Sequence, residues 1–446
     1  MSVLQKCAIG TVFAALIGLG ISYGPVYLFH FSGLVFLIAV LRAMLVKSDG
    51  WSMRNFVADQ TRFRLQNFLW LMIAWYAVTI IWSRNMQLGL FHLFYISNGI
   101  SIVLAFQQAV KTATDLRKII SVSGIIVFIE FAICFMAGLF GIQWPISPYS
   151  DYIFLFGREP GFSENLPSSA IEAIRHTPTG FRWNPNDLAV TMLIVLPFFL
   201  FYRKRVVALT GTFLSLVIIL FTGSRGALIG LFVMSCAFVF LYLNWKQKIR
   251  TIAVATVGLL ILFAASPLLK TQYPVKYREI STTTDALNKY LFTDHEHVND
   301  TSSITIRQNL VSNGLRELKN TYGLGVGAGN SVRVQMENDK THGVYSMHNF
   351  WIEILVEAGI LFFILWCVWY FLLMRKVFFI GKRHPDDFIR YNAQAASLAM
   401  IGLTIGLISM SSAIYFLPMY LLFGISFSVC NLNKTESKVL SEKLDS

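Results

Sequence analysis

Apolar runs of roughly 17 to 25 residues recur along this chain, each long enough to cross the hydrocarbon core of a bilayer. The 446 residues are 55% hydrophobic and only 14% charged, whereas a soluble domain carries about 25% charged residues. The expected fold class is therefore an all-α polytopic membrane protein with about 12 transmembrane helices. Segments are expected near 7–23, 25–46, 66–83, 91–110, 119–141, 188–202, 206–222, 227–243, 251–267, 348–374, 391–413 and 415–430. The first run follows Lys6 and resembles a signal peptide, but no small-residue cleavage site follows and a second run starts at once. It is expected to remain as an anchor. The five cysteines lie within or beside apolar runs without metal-ligand spacing, so they read as small buried apolar residues.

Lysine and arginine sort the connections between segments. With the N-terminus inside, the inner loops carry Arg42, Lys47, Arg54, Arg62 and Arg64, then Lys111, Arg117 and Lys118. Later inner loops carry Arg203-Lys204-Arg205, then Lys246, Lys248 and Arg250, then Arg375, Lys376, Lys382, Arg383 and Arg390. The short outer turns carry only Arg84 and Arg225. By the positive-inside rule both termini are expected to be cytoplasmic. The net charge of +13 follows from this bias. Its counterpart is an anionic inner leaflet, and no nucleic acid is needed to explain it.

This threading divides the chain into 1–141 with five helices, a first long outer loop at 142–187, and helices six to nine in 188–267. A second long outer loop at 268–347 carries the site, 348–430 holds the last three helices, and 431–446 is a charged cytoplasmic tail. Loops of such length are usually functional or disordered. Both contain aromatics, prolines and glycines, which favours partly helical caps over the membrane, with helix expected around 168–175 and 304–319.

Two residues at the outer rim carry the strongest chemistry. Arg225 sits in the turn Thr222-Gly223-Ser224-Arg225-Gly226, on the side where membrane proteins avoid cations. A guanidinium there can grip a phosphate bidentately and keeps its charge. The bland alternative is an arginine that snorkels to the headgroups. His348 opens the segment His348-Asn349-Phe350-Trp351, where the positive end of the helix dipole disfavours imidazolium. A neutral ring could accept a proton from a sugar hydroxyl; the alternative is a headgroup contact. Arg278 and Arg307 in the second outer loop are solvated charges if isolated, and a diphosphate clamp if they converge. Arg316 and Arg333 are weaker candidates.

Other motifs carry less. The Gly323–Gly329 run follows no strand and opens no βαβ unit, so it reads as a tight turn rather than a nucleotide fingerprint. Asp294-His295-Glu296-His297…Asp300 reads as a solvated loop rather than a metal site. Glu130, Glu353 and Glu357 lie within segments and should face the bundle interior, for packing or a proton path. Gly402 and Gly406 are spaced for close helix contact.

Together, Ser224-Arg225-Gly226, a long outer loop with Arg307 and the Gly323–Gly329 turn, and His348-Asn349 followed after nine residues by Gly359 resemble the O-antigen ligase superfamily. That group includes O-antigen ligases, polysaccharide-repeat polymerases and bacterial protein O-oligosaccharyltransferases. The run Gly180-Phe181-Arg182-Trp183-Asn184-Pro185-Asn186 is also similar to the turn before the family's sixth segment. Phe362 departs from a position that the family usually fills with a small or aromatic-hydroxyl residue.

The resemblance implies glycan transfer outside the cytoplasmic membrane, from undecaprenyl diphosphate to a hydroxyl of a glycan, lipid or protein acceptor, with inversion. It makes His348 the general base and Arg225, Arg278 and Arg307 the diphosphate ligands, with Asn349, Arg182 and Gly327 in support. No metal or cofactor is expected, since the outer loops lack an Asp-x-Asp motif. An O-antigen ligase-like enzyme is the leading reading and a repeat-unit polymerase the alternative. A polysaccharide flippase would need polar groups near the midplane. A scaffold of the envelope-synthesis machinery would tolerate loss of His348 and Arg225.

Overall fold

The structure is a computed structural model whose described residues are 1–46, 64–161, 168–251, 253, 303–338, 341, 343–410 and 414–444. Arg278, the Asp294–Asp300 run and nearly all of the expected segment at 251–267 lie outside them. The chain begins with α1 (Val3–Ile17), a short hairpin of β1 (Ser22–Tyr23) with β2 (Val26–Tyr27), and α2 (Leu28–Val46). Then come α3 (Arg64–Thr79), α4 (Met86–Ala109), α5 (Ala113–Phe140), the short α6 (Ser168–Arg175), α7 (Pro185–Leu200), α8 (Arg205–Thr222) and α9 (Arg225–Tyr242). After the undescribed stretch follow α10 (Ser303–Asn320), α11 (Asn330–Met336), α12 (Phe350–Arg383), α13 (Asp387–Gly406) and α14 (Leu417–Leu444).

Eight helices among the described residues are long and apolar enough to cross a membrane: α1 to α5, α8, α9 and α12. Two more, α7 and the first part of α14, are apolar but shorter. The protein is therefore an all-α, multi-pass membrane protein. The lipid-facing surface is visible in side chains no aqueous surface would tolerate in such numbers. Phe31, Leu34, Leu37, Ile38 and Leu41 project outward from α2, and Phe213, Leu220 and Phe232 from α8 and α9.

The expected segment at 391–413 corresponds to α13, which departs from the simple apolar pattern for a physical reason. It is the central helix, rich in small residues, with Ala393, Ala395, Ala396, Ser397 and Ala399 buried. Small side chains let neighbouring backbones approach closely. A Cβ on Gly402 would sit 3.0 Å from Met234 of α9, and one on Gly406 would sit 3.1 Å from Val190 of α7.

The segment expected as one helix from residue 348 is broken. Gly359 has φ 83° and ψ 170°, a conformation open essentially to glycine alone. A break inside a membrane is tolerated only where other protein groups satisfy the released backbone. Here the Gly323–Gly329 turn does so: the amides of Val326 and Gly327 donate to the carbonyls of Val356 and Glu357 at 2.8 and 3.1 Å. The amide of Ile360 donates to Gly323 O at 2.9 Å, and Trp75 Nε1 donates to Ala358 O at 2.8 Å. Phe362, the departure from the family pattern, stacks on Trp75 and Phe68 and meets Tyr76 edge-on.

Candidate functional site

The α8–α9 turn and the start of α12 meet at the end of α13. Gly223 takes the left-handed conformation that ends α8, with φ 64°. Arg225 then opens α9, and Gly226 packs against Ser409 so closely that a Cβ would overlap it. From the other side, Phe350 N donates to Leu407 O at 3.0 Å. Thus the turn bearing Arg225 and the helix start bearing His348 are fixed to neighbouring residues of one strut.

His348 itself is unusual. It adopts φ 47°, a left-handed backbone uncommon outside glycine and enriched at functional sites. Asn349 follows as the cap of α12, its Oδ1 accepting from the amides of Trp351 and Ile352 at 3.1 and 3.3 Å. Asn349 therefore positions the imidazole by ordering the residue after it.

Burial, and secondarily the Arg307 guanidinium, push the His348 pKa down to about 4. Arg307 lies in α10 and is itself half-buried; burial, and then the charge of Arg225, lower its pKa. These effects place Arg307 within electrostatic reach of both His348 and Arg225. Among the described residues neither arginine has a carboxylate partner. Arg84, the other cation expected in an outer turn, is by contrast paired with Glu317 at 2.9 Å and Glu337 at 3.2 Å. Two adjacent cations without counter-ions are the electrostatic complement of a polyanion, and the neutral imidazole beside them can accept a proton.

A kinetic consequence follows. The imidazole is neutral in the resting protein well below its ordinary titration range, so the acidic limb of kcat/KM, which reports the free enzyme, is expected near pH 4. A profile falling through about 6.5, the unperturbed histidine value, would separate His348 from the chemistry.

The other expected residues have structural occupations. Arg182 is buried and spends its donors inward, on Leu16 O at 2.9 Å and Thr191 Oγ1 at 3.2 Å, with Glu130 at 3.6 Å. Glu130 in turn accepts from the Phe181 amide at 3.0 Å. This network joins α1, α5 and α7, and gives Glu130 a packing role. Gly327 belongs to the turn that satisfies the break in α12. Arg316 bonds Asn338, and Arg333 pairs with Glu337.

One polar group escaped the sequence reading. His92 of α4 lies buried between Glu353 and Glu357, its Nε2 3.7 and 3.6 Å from their carboxylate oxygens. Glu357 also accepts from Ser331 Oγ at 2.6 Å. The three residues bring one ligand atom each within 4.8 Å of one another, so metal-ligating residue types do converge here. The available signal was a histidine inside an apolar run and two glutamates one turn apart; their meeting across helices was not encoded in spacing.

Residues 210–367 match the family described as O-Antigen ligase, and this stretch contains Arg225, Arg307, the Gly323–Gly329 turn and His348. The teichuronic acid biosynthesis protein TuaE of Bacillus subtilis (strain 168) is 24% identical over 349 residues. That alignment covers 75% of this chain and 65% of the relative, somewhat under two thirds of the latter. The chain is thus similar to the O-antigen ligase family across the region that holds its rim cations and its left-handed histidine.

Proposed function

We propose that this protein is an integral-membrane glycosyltransferase of cell-surface polysaccharide biosynthesis, O-antigen ligase-like in mechanism. It moves a glycan from undecaprenyl diphosphate to an acceptor hydroxyl on the outer face of the bacterial cytoplasmic membrane, with both termini inside. The observation that carries this reading is the grouping of Arg225 and Arg307, without counter-ions among the described residues, beside a neutral His348. No nucleotide is available outside the membrane, so the activated bond arrives with the lipid.

His348 accepts the proton of the acceptor hydroxyl as its oxygen attacks the anomeric carbon. The bond to the lipid diphosphate breaks from the opposite face, which inverts the configuration. Arg225 and Arg307 take up the charge released on the diphosphate, and Arg278 is expected to join them. Because guanidinium groups perform that task, no divalent cation is required at the transfer step. Transfer by purified enzyme is accordingly expected to survive EDTA. Complete inhibition restored by a divalent cation would overturn the metal-free scheme and direct attention to His92, Glu353 and Glu357.

A polymerase that adds one lipid-linked repeat to another uses the same chemistry with a different acceptor, and the relative's name in teichuronic acid biosynthesis favours neither. A deletion strain separates them by gel analysis of lipid-linked intermediates. Long chains accumulating on undecaprenyl diphosphate identify a lost ligase, and single repeats a lost polymerase. An unchanged glycan profile would defeat both.

A further inference from the structure

A second feature lies outside the region matched by the family. Between the β1–β2 hairpin, α4, the turn before α7 and the start of α14 is a cavity of about 750 Å³, within the range of small-molecule sites. Among the described residues, every one that lines it falls outside 210–367. Its walls are aromatic: Tyr27, Tyr95, Trp183 and Tyr415 all contribute, with the Tyr95 and Tyr415 rings 5.1 Å apart.

Polar groups are set among these rings. Arg158 is held by Gly24 O, which accepts from Nε at 2.9 Å and also from Nη2. Its guanidinium carbon lies 5.6 Å from the Tyr27 ring centre and 5.3 Å from that of Trp183. Its Nη1 and the Nδ2 of Asn98, another lining residue, have no hydrogen-bond partner among the described residues. Buried donors without partners call for a ligand or ordered water.

We propose that this cavity is a saccharide subsite that receives sugar rings of the acceptor beside the transfer site; the acceptor role rests on the function proposed above. Sugar rings carry apolar C–H faces that lie flat on aromatic rings and hydroxyl edges that accept from guanidinium and amide donors. The cavity offers both, on rigid elements. A diphosphate suits it poorly, because the carboxylates of Glu159 and Asp187 also line it and repel a polyanion. The cavity also reaches toward α12: the ring of Tyr95 in its wall lies 6.2 Å from that of His92, whose Nε2 is 3.7 Å from Glu353, on the same α12 that His348 precedes.

The test is calorimetric titration of the full chain in lipid nanodiscs with oligosaccharides released by mild acid from the host's own surface polysaccharide, without donor. Wild type is expected to bind. Trp183→Ala and Asn98→Ala should each weaken binding by about tenfold or more, equivalent to about 1.4 kcal/mol, and Trp183→Phe should recover most of it. Gel filtration and thermal melting confirm that each variant is folded. The subsite is refuted by absence of binding to wild type, by folded variants that bind equally well, or by displacement of the probe by a polyprenyl phosphate. Because the readout needs no turnover, it is independent of the transfer assay. Loss of binding in Trp183→Ala with full transfer in His348→Ala would sink the proposed chemistry and leave the subsite standing.

Discussion

His348→Ala is expected to reduce glycan transfer by about 10²–10⁴-fold, the usual contribution of a positioned general base, while the protein still inserts and purifies normally. Three features single this residue out: a left-handed backbone, a helix cap immediately after it, and burial near Arg307. None of these is required for folding by a solvated histidine. Arg225→Ala and Arg307→Ala are expected to cost about 10²–10³-fold each, as for loss of one donor to a charge that develops in the transition state. Arg307→Gln adds a diagnostic. It removes one of the two causes holding the His348 pKa near 4, so the acidic limb of the pH profile should move upward. Normal long-chain or capped glycan in any of these variants removes that residue from the mechanism.

Gly359→Ala is expected to destabilise the protein by about 2–6 kcal/mol, combining the cost of a strained backbone with overpacking. A Cβ there would lie 2.5 Å from Leu324 O and 2.7 Å from Gly323 O, backbone atoms that cannot move aside without abandoning their own bonds. Displacing the turn would leave the carbonyls of Val356 and Glu357 without donors inside the membrane region, which costs more than it would in water. The expected outcome is low expression or a melting temperature depressed by many degrees in detergent. A variant melting like wild type would show that the break is not needed.

How much was legible differs from element to element, for reasons of range. Membrane helices could be read because the bilayer imposes one local rule, a long apolar run, on each of them. The helices Ser168–Arg175 and Ser303–Asn320 were also legible in their own residues, although neither is an apolar run. Arg225 and His348 stood out because a cation and a base at an outer rim are rare. The meeting of His92 with two glutamates was not visible, since His92 and Glu353 are more than 250 positions apart in the chain. Arg182 looked available for a ligand, yet a neighbour in α1 and another in α5 consume it.

By itself, then, the amino-acid order determined a membrane-embedded, helical chain and singled out Arg225, Arg307 and His348 as candidates, because hydrophobic length and charge placement act residue by residue. Only tertiary structure decided the break at Gly359 and the approach of Arg307 to both Arg225 and His348. It alone assembled the aromatic cavity from distant stretches of the chain. Each of those depends on backbone hydrogen bonds and close packing between segments, which no local pattern specifies.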